Sequence, residues 1–181
     1  MNSYKIAEGK KLRIAISGKS GCGNTTVSTM LSETLGVRLI NYTFRQLAEE
    51  KGLTLAQILE KAKTDDSYDK FVDTRQVELA MEDSCVLGSR LAIWMLKEAD
   101  FKVYLVASDE ERARRIVKRE GGTLEERLGE TRRRDFHDSE RYQRIYGIDN
   151  NDTSRADLVI DTEGRTPEEI VDIILDALQK N

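Results

Sequence analysis

The sequence predicts an α/β fold in three layers (α/β/α), with a five-stranded parallel sheet covered on both faces by helices. Two observations predict it. Five short apolar runs, at 13–17, 37–41, 84–88, 101–107 and 158–160, alternate with stretches of helical periodicity, the order that builds a parallel sheet with helical crossovers. A glycine-rich turn, Gly18 to Gly23, also separates the first run from the first helical pattern. In such a fold that turn places a ligand at the carboxyl ends of the strands. The 181 residues are long enough for one domain with a full core, and no internal repeat or low-complexity linker divides them.

Each element has its own signal. Residues 1–11 are polar and read as a frayed or edge extension. Arg13–Ser17 is the first strand, and a helix from about Thr25 to Leu35 follows on Val27, Met30, Leu31 and Leu35, stopped by Gly36. Val37–Asn41 is a short strand, and Thr43–Lys51 a helix ending at Gly52. Thr54 and Gln57 have capping-box spacing and open a helix with Ile58, Leu59 and Ala62 on one side. Asp65–Glu82 carries a stripe of Tyr68, Phe71, Val72, Arg75 and Leu79. Ser84–Gly88 is a buried central strand and Phe101–Ala107 the clearest strand of all. Ser108 and Glu111 form a second capping-box pair, opening a helix to about Glu120 that Gly121 and Gly122 break. Thr123–Tyr146 is helical and arginine-rich, and Leu158–Ile160 is a last strand. Thr166, Pro167 and Glu169 start the final helix, which buries Ile170, Ile173, Ile174, Ala177 and Leu178.

Composition excludes several classes. With 29 Lys+Arg against 33 Asp+Glu the chain is mildly acidic, so no nucleic-acid polymer is expected as partner. No secretory or transit-like leader and no apolar run of membrane-spanning length are visible. Cys22 and Cys85 stand far apart and form neither a metal cluster nor a disulfide framework, which suits the reducing cytoplasm. A serine–histidine arrangement and a dinucleotide fingerprint are absent as well.

The turn itself reads as a phosphate-binding loop. Against the pattern G-x-x-x-x-G-K-[ST], Gly18, Gly23 and Thr25 fit, and Asn24 stands where the lysine belongs. Glycines let backbone N–H groups wrap a phosphate, the helix N-terminus adds partial positive charge, and the Thr25 hydroxyl occupies a magnesium-ligand position. Lys19 is either a substitute charge or a solvated one, and Cys22 reads as a small loop residue rather than a nucleophile.

Positive charge recurs at spaced positions. Arg75 lies on the apolar stripe of its helix, where it faces either an acid or a bound phosphate. Arg90 follows the central strand at the ligand-binding end of the sheet, in apolar company from Leu91 to Trp94. Arg45, near a helix start, is either solvated or a ligand group. Arg134, Asp138 and Arg141 share one helix face, joined by Arg127, whereas Arg132 and Arg133 point elsewhere. That face is either an ordinary salt-bridged surface or a lid that closes over a polyphosphate and holds a sugar hydroxyl. His137 reads as a surface residue; Tyr142 and Tyr146 read as packing residues.

The pieces Gly18–Thr26, Phe44–Ala48, Val72–Gln76, Ser89–Ala92 and Arg141–Asp149 together resemble the nucleoside monophosphate kinases, most closely the short cytidylate kinases typical of archaea. The resemblance runs nearly full length. It implies a P-loop kinase with a core of 12–42, 84–120 and 156–181, acceptor-binding (NMP-binding) helices at 43–83 and an arginine-rich helical lid at about 121–147. It further implies that Gly18, Lys19, Ser20, Gly21, Cys22, Gly23, Asn24, Thr25 and Thr26 cradle the ATP phosphates and that Thr25 ligates Mg2+. Arg45 and Arg90 would grip the acceptor phosphate, Arg134 and Arg141 the transferring phosphates, and Asp138 the acceptor sugar. Arg75 matches a motif position suggesting acceptor binding, and Arg90, Arg134 and Arg141 form the catalytic set.

The implied reaction is transfer of a phosphoryl group from ATP to CMP or dCMP, by a cytoplasmic monomer. A nucleotide-binding regulatory module without turnover, or a kinase for another acceptor such as UMP or AMP, are the alternatives. The chain departs from the family pattern in three places. Asn24 replaces lysine, although relatives of the short type commonly carry threonine there. Gly88 replaces an acidic residue, and the connection Asn41–Phe44 is about two residues shorter than usual.

Overall fold

The computed structural model describes residues 4–180. The five strands are β1 (Arg13–Gly18), β2 (Arg38–Ile40), β3 (Cys85–Gly88), β4 (Phe101–Val106) and β5 (Leu158–Asp161). They form one all-parallel sheet in the order β2-β3-β1-β4-β5. Among the described residues the eight helices are α1 (Asn24–Leu35), α2 (Phe44–Glu50), α3 (Leu55–Ala62), α4 (Ser67–Glu82), α5 (Ala92–Met95), α6 (Asp109–Glu120), α7 (Leu124–Tyr146) and α8 (Pro167–Leu178).

Strand alternation sends side chains to two cores. On one face, Ile14 and Ile16 of β1 pack with Val86, Val103 and Leu105 against Leu31 of α1 and Ile174 of α8. On the other, Ala15 and Leu87 meet Ile93, Trp94, Tyr104 and Tyr142. The Trp94 and Tyr104 rings meet edge to face, 5.8 Å between centroids. A third small cluster of Tyr42, Leu47, Ile58 and Val72 joins α2, α3 and α4 beyond the sheet edge. Central β1 pairs with β3 through Ile16↔Gly88 and with β4 through Ser17↔Tyr104, so the turn leaving Gly18 emerges between its two neighbours' ends.

The terminators behave as their chemistry dictates. Gly36, at φ +65°, closes α1 in the left-handed conformation, and Thr54, Thr123 and Thr166 each form a complete capping box. At α6 only half of the expected box is present. Ser108 Oγ accepts from Glu111 N–H at 3.2 Å, but the Glu111 carboxylate pairs with Arg115 one turn on, at 2.9 Å.

Three expectations change. Tyr4 and Ile6 pack against the main core, so the described part of the leading segment is not frayed; residues 1–3 lie outside the described residues. Helix α5 was invisible in the pattern because it makes a single turn. The buried face of α4 is Asp69, Val72, Gln76 and Ala80, while Phe71 is 45% exposed and Arg75 pairs with Glu78 at 3.1 Å. The helix is rotated from the expected stripe because its inner side faces a polar cleft as well as the core.

Candidate active site

The loop between β1 and α1 is built before any ligand arrives. Gly21 and Gly23 hold φ of +85° and +92°, the region where a side chain is strained. A Cβ on Gly21 would also lie 2.9 Å from the Arg112 Cβ. Arg112 is 1% exposed; its Nη1 donates to the Ser20 carbonyl at 3.1 Å, and both Nη atoms donate to Asp135, at 3.2 and 2.5 Å. Burial works against the Arg112 charge, and its bonds to Asp135 and Asp109 more than offset that cost, raising its pKa. Arg115 donates to the Gly21 carbonyl at 3.3 Å and to Thr162 Oγ1 at 2.9 Å; Thr162 Oγ1 in turn donates to the Cys22 carbonyl at 3.2 Å. Two arginines thus hold the loop's outline from α6.

Asn24 works inward. Its Nδ2 donates to the Ile16 carbonyl at 3.0 Å and the Ser89 carbonyl at 3.4 Å, and its Oδ1 accepts from Ser28 Oγ at 3.0 Å. It pins α1 to the ends of β1 and β3. Thr25 is exposed to the cleft, and no described side chain meets its hydroxyl. Lys19 also lines the cleft, 3.9 Å from the Asp135 carboxylate. Cys22 is buried, and burial pushes its thiol pKa up, which removes thiolate character.

The loop opens into a cleft of about 1000 Å³ that also reaches α4, Ser89, Arg90 and Arg141. Arg90 Nη1 donates to Asp138 Oδ2 at 2.7 Å, and Arg141 Nη2 donates to Asp138 Oδ1 at 3.1 Å. The carboxylate is 10% exposed and spans two guanidiniums that are 48 and 3 residues from it in sequence. Arg141 further pairs with Asp69 at 3.3 Å and stacks over Tyr142 at 5.2 Å. Arg134 Nη1 reaches Ser20 Oγ at 3.2 Å. Aligned positive groups beside a glycine-rich loop can neutralise a polyphosphate and a second anion at once.

A model of the cytidylate kinase-like family matches residues 13–164. The chain belongs to that family. A relative named cytidylate kinase 2, from Borreliella burgdorferi (strain ATCC 35210 / DSM 4680 / CIP 102532 / B31), is 45% identical over 93% of this chain and 96% of its own. One named cytidylate kinase, from Pyrococcus horikoshii (strain ATCC 700860 / DSM 12428 / JCM 9974 / NBRC 100139 / OT-3), is 40% identical over 93% of this chain and 88% of its own. Among solved structures, shikimate kinase from Acinetobacter baumannii superposes with a TM-score of 0.64 at 20% identity, covering 95% of each chain. Deoxyadenosine kinase from M. mycoides superposes at 0.55 and 18% identity, over 93% of this chain and all of its own. These likenesses identify the fold as the P-loop kinase fold of three layers.

In this cytidylate kinase-like chain the expected site residues divide by position. Residues 18–26, Arg90 and Arg141 line the cleft, and Asp138 binds both arginines from behind. Arg134 touches the loop from the exposed side of α7. Arg45 is exposed, and neither it nor Arg75 is part of the cleft wall. Arg127 is occupied by the Gly121 carbonyl and Glu130, at 2.9 and 2.7 Å. His137 is exposed and Tyr142 buried, as read from the sequence.

Sequence reasoning missed Arg112, Arg115 and Asp135, which hold the loop, and Asp69, Asp73 and Gln76, which line the cleft. One signal was available for the second group: 69, 73 and 76 are spaced four and three, one helix face. Arg112 sits beside Ala113 and near Ile116 on the buried side of α6, but charge-rich neighbours hide that stripe. Tyr146 Oη donates to Asp73 Oδ2 at 2.6 Å. Burial, opposed by that bond, raises Asp73 to about 6, and burial also raises Asp69 against the pull of Arg141. Among the described residues no helix is long and apolar enough to cross a membrane.

Proposed function

We propose that the protein transfers the terminal phosphoryl group of ATP to CMP or dCMP, giving ADP and the cytidine diphosphate. The observation that carries this reading is the meeting of Arg90 and Arg141 on Asp138, in the same cleft as the loop 18–26. A protein that only bound nucleotide would have no evident use for a second anion grip. Relatives at 40 and 45% identity that bear the name cytidylate kinase support the choice of acceptor.

In this reading Gly18–Thr26 bind the donor phosphates. Arg90 holds the acceptor phosphate so that one of its oxygens faces the terminal phosphorus; Arg45 and Arg75, which lie off the cleft wall, would join it only on movement of α2 and α4 toward the acceptor. Arg134 and Arg141 neutralise the charge that spreads over the transferring group, and Asp138 orients Arg90 and Arg141 and contacts the acceptor sugar. Phosphoryl transfer needs positioning, charge neutralisation and exclusion of water rather than a protein nucleophile. The α7 helix brings Arg141 and Tyr142 to the cleft wall and carries Arg134 and Asp138 beside it.

The donor set fits Mg2+ that arrives on the phosphates. Thr25 offers a free hydroxyl to the cleft, and no cluster of three metal-ligating side chains exists among the described residues. Mg2+ bound there, by Thr25 and phosphate oxygens, would supply charge neutralisation on the donor. The acidic balance and buried thiols suit a cytoplasmic protein, acting as a monomer on small molecules rather than on a nucleic-acid polymer.

The test is an acceptor screen. ADP release is followed with ATP and Mg2+ on CMP, dCMP, UMP and AMP, and the product is identified. CMP and dCMP should turn over fastest; no turnover with any acceptor in folded protein would refute the proposal.

A further inference from the structure

The acceptor half of the cleft contains groups that phosphate binding does not explain. Asp69, Asp73 and Gln76 project from one face of α4 into the cleft lining, next to Tyr42, Phe44 and Val72. Carboxylates beside the site of a dianionic substrate oppose its binding, so they need a separate reason to be there. Asp69 has one, since it pairs with Arg141 at 3.3 Å. Asp73 is only half accounted for. Its Oδ2 accepts from Tyr146, and among the described residues no donor reaches its other oxygen. Gln76 is 5% exposed, and its Oε1 is sealed from solvent without a described donor. Leaving the sealed Gln76 oxygen unpaired is costly, and the second Asp73 oxygen is free to accept from a ligand that brings donors.

We infer that Asp73 is the residue that selects the acceptor base, by accepting a hydrogen bond from an exocyclic amino group. The inference rests on the reading of the acceptor as a nucleoside monophosphate. Cytosine presents an N4 amino group with two donors at the edge where uracil presents the O4 acceptor. Against the Asp73 carboxylate, the first is paired and the second is repelled. The flat sides of the base would lie among Tyr42, Phe44 and Val72, an aromatic and apolar pocket. A site built to bind a polar group rejects the analogue lacking it more strongly than an apolar pocket can. The high pKa of Asp73 agrees with a carboxylate that lacks its full set of donors in the free protein.

The experiment compares CMP with UMP, both by kcat/KM with ATP and by titration calorimetry without ATP, in the wild type, Asp73→Asn and Tyr146→Phe. Asp73→Asn keeps shape and a partner for Tyr146 but can turn a donor toward the base. It should reduce the CMP:UMP ratio at least ~10-fold in both measurements. Tyr146→Phe leaves the Asp73 oxygens in place and should keep the ratio within ~3-fold. Parallel losses for CMP and UMP in Asp73→Asn, a Tyr146→Phe ratio that matches it, or a wild type that binds UMP as well as CMP would each overturn the inference. The two proposals fail separately. A wild type without turnover refutes the kinase reading, while the calorimetric ratio still reads base selection.

Discussion

Asn24 and Gly88 face each other across the end of the sheet: a Cβ on Gly88 would lie 3.1 Å from Asn24 Oδ1. It would also lie 2.5 Å from Ser28 Oγ and 2.8 Å from Ser28 Cβ. Asn24 in the loop and Gly88 on β3, the two residues that differ from the expected pattern, therefore share one local arrangement. With Asn24 turned inward to the Ile16 and Ser89 carbonyls, and Ser28 bound to it, no room remains beside β3 for a side chain.

Gly88→Ala should therefore destabilise the fold by ~1–3 kcal/mol, the range for overpacking a filled core. Urea unfolding measures it. An unchanged midpoint would mean that Ser28 moves freely, contrary to its burial on α1.

Asn24→Lys should fold and remain active, with stability lowered by ~1–2 kcal/mol. The Ile16 carbonyl keeps the Ser89 N–H at 3.1 Å, but the buried Ser28 hydroxyl loses its acceptor. Chemical denaturation together with the ADP-release assay checks both halves; complete loss of turnover would show that Asn24 itself takes part in the reaction.

Arg90→Ala should lower kcat/KM for CMP by ~100-fold or more while changing the KM for ATP less than ~3-fold. Arg90 is tied to Asp138 and the acceptor half, with no contact to the loop among the described hydrogen bonds. Steady-state kinetics with each substrate varied in turn distinguishes this from a general loss of structure, which would raise both KM values.

Asp135→Asn removes the main partner of an arginine that is 1% exposed. Asp109 remains at 2.7 Å but is itself 40% exposed, so a cost of ~2–4 kcal/mol is expected. Because Arg112 also holds the Ser20 carbonyl, the KM for ATP should rise more than the KM for CMP. Thermal unfolding and kinetics provide the two readouts.

The pH dependence of Asp73 has a definite sign. Its native pKa of about 6 lies above the ~3.9 of an unfolded aspartate, so the native state holds more protons between these values. Stability is lost as pH rises through that window, and the penalty is complete above it. Asp73→Asn, which cannot ionise, should match the wild type near pH 4 and exceed its Tm by ~6–12 °C at pH 8. A difference that is constant with pH would place the effect in packing instead.

Much of the architecture was legible because it depends on local chemistry. Caps at Thr54, Thr123 and Thr166, the glycine stop at Gly36 and the apolar runs are set by neighbours in sequence. The rotation of α4 was not legible. Phe71 is exposed and Asp69 buried because the face of that helix is chosen by what lies opposite, including Arg141 from α7. The same holds for Tyr4 and Ile6, whose partners belong to the main core.

The site divides in the same way. The loop, its glycines and the arginines at 90, 134 and 141 were readable as candidates from type and spacing, and the likeness to cytidylate kinases was carried by short motifs. Tertiary structure alone decided that Asp138 joins Arg90 to Arg141, that Arg112 and Asp135 brace the loop, and that Asn24 points inward beside Gly88. The physical reason is range. Periodicity, capping and turn chemistry act over a few residues, whereas a buried charge or an unpaired acceptor is satisfied by whatever distant segment the fold brings within hydrogen-bonding distance.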